Sequence, residues 1–141
     1  VRPWFKNVTK SLRKEPKWFS RDWGGVADEG ARSETLVACH LLKAVELWTD
    51  LGLGDFELRY LRDKLQREVD FLIVRDRKPW LLVEVKTSET RLSPALAHFQ
   101  DHIGGAHAVQ VVMNLPFEKV NFLTARRPAV VPARTFLSQL V

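Results

Sequence analysis

Apolar and polar positions follow two different periods along this chain, and each change of period marks an element. ARSETLVACHLLKAVELWTDLG has the spacing of an amphipathic helix: Glu34, Val37, Ala38, Leu41, Val45 and Trp48 recur at three- and four-residue steps and share one face, with Gly52 as the stop. FELRYLRD (56–63) alternates as a strand, with Phe56, Leu58 and Tyr60 on one side, and KLQR connects it to the next run. VDFLIV (69–74) and WLLVEVK (80–86) are strands by their branched and aromatic content, joined into a hairpin by the polar, proline-containing loop RDRKP. SPALAHFQDHIG (93–104) opens on a serine cap followed by proline and closes at Gly104-Gly105, the marks of a second helix. AVQVVMN (108–114) is a further strand, and the tail from Asn121 holds short apolar pieces and two prolines, which fits a last strand or extended segment and a terminal helical turn.

The order helix, strand, strand, strand, helix, strand predicts an α/β fold with a mixed central sheet flanked by helices. Strands apolar on both sides suit a sheet covered on both faces. The chain of 141 residues accommodates one domain with a real core. Hydrophobic residues at 45% and charged residues at 28% exclude wholesale disorder. No apolar run approaches the ~20 residues of a membrane span, and the N-terminus lacks a signal-peptide pattern, so a cytoplasmic protein with no membrane partner is expected. The single cysteine, Cys39, has no partner for a disulfide and reads as a small buried core residue. The chain begins at Val1 and its only methionine is Met113, as expected of a piece of a longer protein.

Charge divides the chain into two parts. Residues 1–23 hold seven Lys/Arg against two Asp/Glu, whereas residues 24–141 hold fifteen of each, so the whole net charge of +5 belongs to the N-terminal segment. That segment interleaves Trp4, Phe5, Trp18, Phe19 and Trp23 with Lys6, Lys10, Arg13, Lys14 and Lys17, a mixture that can grip phosphates and stack bases. The alternative is an arm whose aromatics pack on the domain of residues 24–141 while its cationic heads reach water.

Two carboxylates interrupt the hairpin strands. If its loop is centred on Arg77, Val74 lies against Trp80, Leu72 against Leu82 and Asp70 against Glu84, with Cβ atoms of such neighbours ~4.5 to 5.5 Å apart. Lys86 follows Glu84 on the same face by the two-residue period, and Val83 and Val85 point to the other. Paired acids in an apolar setting repel and resist desolvation, so something must compensate. Lys86 can do so as a salt-bridge partner, and Mg²⁺ can do so as an oxygen-loving cation; the spacing alone leaves both open. Glu34, on the apolar face of the first helix, is a third acid aimed inward.

The ordered set Glu34, Asp70, Glu84, Lys86 resembles the PD-(D/E)xK nuclease superfamily. More narrowly, GARSETLVACHLL, EVDFLIV and LLVEVKTS resemble a C-terminal domain of unknown function in bacterial and archaeal predicted AAA-type ATPases, and RPWFKNVTKSLRKEPKWFSRDWG looks like the segment after their ATPase core. The resemblance covers most of the chain and implies a restriction-endonuclease-like core. It implies that Asp70, Glu84 and the backbone carbonyl of Val85 hold Mg²⁺ or Mn²⁺, that Lys86 positions water and offsets developing charge, and that Glu34 assists. Hydrolysis of DNA phosphodiesters is the activity it implies. An ATPase module in the same full-length chain is the implied partner, and nucleases of this type can form a homodimer to cut two strands. The residue before Asp70 is Val69, where the superfamily's namesake proline stands in many members. A non-catalytic accessory domain of an ATPase is the other class open to such a chain.

The remaining candidates are weaker. His98 and His102 stand four apart on the second helix without an evident third ligand, His40 and His107 stand alone, and Gln100 reads as a solvated helix residue. No Walker-type glycine loop is present.

Overall fold

The computed structural model describes residues 1–4, 16–19 and 28–140. Among these, six strands form one mixed sheet in the order β1 to β6, with β1 Arg2–Pro3, β2 Phe56–Arg62, β3 Glu68–Arg75, β4 Lys78–Lys86, β5 His107–Val112 and β6 Ala129–Pro132. The β2–β3 and β3–β4 pairs are antiparallel; β1–β2, β4–β5 and β5–β6 are parallel. Three α-helices accompany them, α1 Glu29–Asp50, α2 Pro94–Ile103 and α3 Ala133–Ser138. The α/β class read from the sequence is therefore the architecture observed. None of the helices is long and apolar enough to cross a membrane.

Local chemistry explains the boundaries. Asp28 caps α1 by accepting a hydrogen bond from Ala31 N at 2.7 Å, and the helix ends two residues before Gly52, whose φ is +78°. Gly104, with φ +75°, closes α2, and its N–H reaches the carbonyl of Gln100. At Gly105 an added Cβ would lie 2.4 Å from Leu82 Cδ1, so any side chain there would force the buried leucine of β4 to shift. The dipeptide Arg2–Pro3, which no periodicity announces, adds an edge strand where a proline is tolerated.

The sheet is covered on both faces. Val37, Ala38, Leu41, Ala44 and Val45 of α1 pack with Leu58, Phe71, Ile73, Leu81, Val83, Val109 and Val111. Leu96 and Phe99 of α2 pack with Leu61, Val69, Leu72, Val74, Leu82 and Ala108 on the other face. Each fully buried aliphatic side chain contributes about 1.5 to 3 kcal/mol through removal from water. Cys39 is half-buried rather than a full core residue.

The hairpin turn differs from the expected five-residue loop. Asp76 and Arg77 both take left-handed backbone, φ 49° and 68°, so β3 and β4 join through a two-residue turn of the kind that matches strand twist. Leu72 does face Leu82, but Val74 pairs with Pro79 instead of Trp80. Trp80 becomes the extra residue of a bulge and packs edge-on against Trp48 and Phe56.

A second irregularity lies in β3. Arg59 pairs with Leu72 and Leu61 pairs with Val69, so Asp70 and Phe71 together oppose Tyr60 alone. Strict alternation would put Val69 on the α1 side with Phe71, yet Val69 packs on the α2 side with Leu72. The bulge changes the facing of every residue before Phe71.

A candidate acidic site at the hairpin fork

Because of that bulge, Asp70 meets the N-terminal part of α1. Carboxylate oxygens of Glu34, Glu68 and Asp70 lie within 4.8 Å of one another. Glu34 arrives there because it is the first position of the apolar stripe of α1; its side chain is 28% exposed. Glu68 shares the facing of Asp70 by the two-residue strand period. That period, visible in EVDF, is the signal by which sequence reasoning could have included it.

Asp70 also reaches the other side of the fork. The last β3–β4 pair is Phe71 with Val83, and beyond it Asp70 Oδ2 accepts a hydrogen bond from Val85 N at 2.8 Å. Lys86 O accepts from Met113 N on the β5 side, so by alternation the Val85 carbonyl faces β3 and Asp70. Glu84 follows Leu82 on the α2 side, where its register neighbour is Gln110. It is 6% exposed, and burial, a hydrogen bond with Asp70 and the Asp70 charge push its carboxyl up to about 9, against the opposing pull of Lys86. Glu34 acts on Glu84 more weakly still, as the least of these influences.

Cations come from two elements. Lys17 Nζ bonds the Glu68 carboxylate, lies 3.5 Å from Glu34 Oε1 and sits 4.8 Å from the centre of the Tyr60 ring. Arg62 Nε and Nη2 hold the other Glu68 oxygen at 2.8 and 2.6 Å. Burial works to raise the Glu68 carboxyl, but its bonds from Lys17 and Arg62 outweigh this and hold it below the ordinary range. Burial and the Asp70 charge raise Glu34 despite Lys17. Burial alone would lower the Lys17 ammonium, whereas the Glu68 bond and the charges of Glu34, Glu68 and Asp70 carry it higher.

The structure thus gathers Glu34 with Asp70, and Asp70 with Glu84 and Val85. Lys86 follows Glu84 along β4, and among the described residues no carboxylate lies within 4.0 Å of its Nζ. Lys17, expected to face a phosphate backbone, is turned onto the acids; Lys6, Lys10, Arg13 and Lys14 lie outside the described residues. Of the segment's aromatics, Trp4 and Phe19 pack on the two faces of the sheet, and Trp18 is exposed. Glu68 and Tyr60 are the participants that the sequence reading omitted, and Lys17 is one that it assigned to nucleic acid instead.

The other candidates take structural places. Gln100 is buried, not solvated, and donates to the carbonyls of Gly105 and Arg126 at 3.2 and 2.7 Å. His98 and His102 stack with ring centres 5.0 Å apart, and no group of three metal-ligating side chains among the described residues includes them. His107 packs edge-on against Trp80.

A mixed α/β sheet with a carboxylate cluster at the fork of its central hairpin defines the class of domain. The chain belongs to the family described as Domain of unknown function (DUF4143), which matches residues 29–136 and so runs from the start of α1 into α3. Comparison with curated proteins and with solved structures gives no match.

Proposed function

We propose that this domain is a metal-dependent nuclease of the PD-(D/E)xK type, with a restriction-endonuclease-like core, that hydrolyses DNA phosphodiesters. The observation that carries the reading is the position of Asp70, which shares a cluster with Glu34 and Glu68 and a hydrogen-bonded contact with β4 at Glu84-Val85. The donor set is oxygen only, carboxylates and the Val85 carbonyl, and its buried member Glu84 has its carboxyl pushed up to about 9 by burial and by Asp70. Such a set fits Mg²⁺ or Mn²⁺ and not a soft metal. Asp70, Glu84 and Val85 would hold the cation, which when bound polarises a phosphoryl oxygen and lowers the pKa of a water. Lys86 would place a positive charge where the pentavalent phosphorus gains negative charge, and Glu34 would orient water from the α1 side. In a longer chain, an AAA-type ATPase module would be the covalent partner.

The test is cleavage of supercoiled plasmid and of single-stranded DNA with Mg²⁺, with Mn²⁺ and with chelator. Metal-dependent nicking should fall by about 100-fold or more in Asp70→Ala and in Lys86→Ala. Nicking that survives in both variants, or that persists in chelator, would remove the assignment. The second reading, a non-catalytic accessory domain, is favoured by one contact: Lys17 and Arg62 already neutralise part of the cluster from within the fold. A wild-type protein that cuts nothing while binding DNA or its ATPase module would select it.

A further inference from the structure

We propose that Lys17 is an internal counter-cation of the acidic cluster, which a divalent cation has to displace, so that the N-terminal segment sets the metal affinity of the site. This rests on the metal-dependent reading above and adds its regulation. The ammonium joins acids from two elements, Glu68 of β3 and Glu34 of α1, and approaches them from a part of the chain 51 residues before Glu68.

Its seat is built by several independent contacts. The backbone N–H of Lys17 donates to Val1 O at 2.6 Å and its carbonyl accepts from Val1 N at 2.7 Å, immediately before β1 joins the sheet. Two residues on, Phe19 lies 5.6 Å from Phe71 between ring centres. The Tyr60 ring, opposite the β3 bulge, lies beneath the ammonium. The Lys17 side chain is only 19% exposed.

A divalent cation held by Asp70 would enter the group of carboxylate oxygens that lie within 4.8 Å of one another, where Lys17 already stands against Glu34 and Glu68, and bring a second positive charge beside the first. The two charges therefore oppose each other within one cluster. Release of Lys17 leaves Glu68 oriented, because Arg62 holds its other oxygen. A lysine suits a displaceable occupant, being a compact charge on a flexible stem without the planar two-point grip of arginine.

The experiment is calorimetric titration of Mn²⁺ into wild type, Lys17→Met, Lys17→Arg, Asp70→Asn and the Lys17→Met/Asp70→Asn double variant. An opposite charge at this range favours an ionised carboxylate by about 1 to 3 pKa units, so Lys17→Met should bind Mn²⁺ about tenfold tighter or more. Lys17→Arg, which can hold a carboxylate at two points, should bind Mn²⁺ no more tightly than wild type, and Asp70→Asn should abolish binding in either background. In the wild type, acylation of Lys17 followed by mass spectrometry should accelerate when Mn²⁺ is added, a readout that needs no variant to fold. Asp70-dependent binding with equal or weaker affinity in Lys17→Met, or an acylation rate unmoved by saturating Mn²⁺, overturns the counter-cation while leaving the metal site standing. Absence of Mn²⁺ binding in all five proteins removes the metal site and this inference together.

Discussion

Replacing Glu84 with glutamine should stabilise the metal-free domain in alkaline solution and leave it unchanged in acid. The glutamine keeps the shape of the side chain and removes the ionisable proton. In the wild type the buried Glu84 carboxyl titrates near 9 instead of its ordinary 4.5, because it loses water and faces Asp70 across the fork. A folded-state pKa above the unfolded one means that folding takes up a proton. Below the unfolded value both states are protonated and the group is neutral to stability. As pH rises between the two values the unfolded chain gives up the proton first, and stability falls by about 1.36 kcal/mol per unit. At pH 8 the separation from 4.5 amounts to roughly 5 kcal/mol, and entry of solvent at the fork reduces it toward roughly 2 kcal/mol. The upward shift of Glu34 and the downward shift of Glu68 affect both proteins and largely cancel in the difference.

The assay is urea unfolding in chelator, followed by tryptophan fluorescence between pH 4.5 and 8.5, for wild type and Glu84→Gln. The two free energies should coincide at the acid end and separate by about 2 to 5 kcal/mol at pH 8, with the variant more stable. On the proposed function, Mg²⁺ at pH 8 should recover the wild type and move the variant little. A difference between the two proteins that stays constant across the pH range would refute the reasoning, since it would show that Glu84 ionises normally in the fold.

Two further substitutions test the frame around the site. Arg77→Gly should raise stability by about 0.5 to 1 kcal/mol in thermal unfolding, because Arg77 holds φ 68° in the hairpin turn, a conformation that glycine adopts without strain. Gln110→Leu should cost about 2 to 4 kcal/mol and speed amide exchange across residues 89–93, because Gln110, fully buried, donates to Glu89 O and Arg91 O and accepts from Ser93 N.

Much of the fold was legible because its signals are local. The stripe from Val37 to Trp48, the serine-proline opening of α2 and the branched runs of β3, β4 and β5 each announce their element within a short window. The hairpin register was legible at Leu72–Leu82 and failed at Val74, because RDRKP reads as a loop by composition while twist-matched backbone at Asp76 and Arg77 carries the turn in two residues. Gln100 and Gln110 were not legible, since a glutamine in a helix or strand is ordinary until the carbonyls that it satisfies are known. Lys17 failed for the same reason at longer range, because charge counting gives the sign of a segment and not where one ammonium ends.

The facing of Asp70 depends on a contact that no single window contains. By strict alternation from Leu72, Asp70 would share the α2 side with Leu82, and Glu34 would approach from the opposite face of the sheet. The acids would then divide by face, Glu34 apart from Asp70, Glu84 and Lys86. Val69 and Leu72 both seek the apolar cluster around Leu96, and a chain that buries both must absorb an extra residue between them. Asp70 is turned by that requirement toward Glu34 and Glu68 while its Oδ2 still takes the Val85 N–H between the strands. The bulge thereby makes one electrostatically connected group out of acids on both sides of the hairpin, with Asp70 as the member common to both. Lys17 and Arg62 offset the charge of that group on one side, while on the other burial together with the Asp70 charge raises the Glu84 carboxyl.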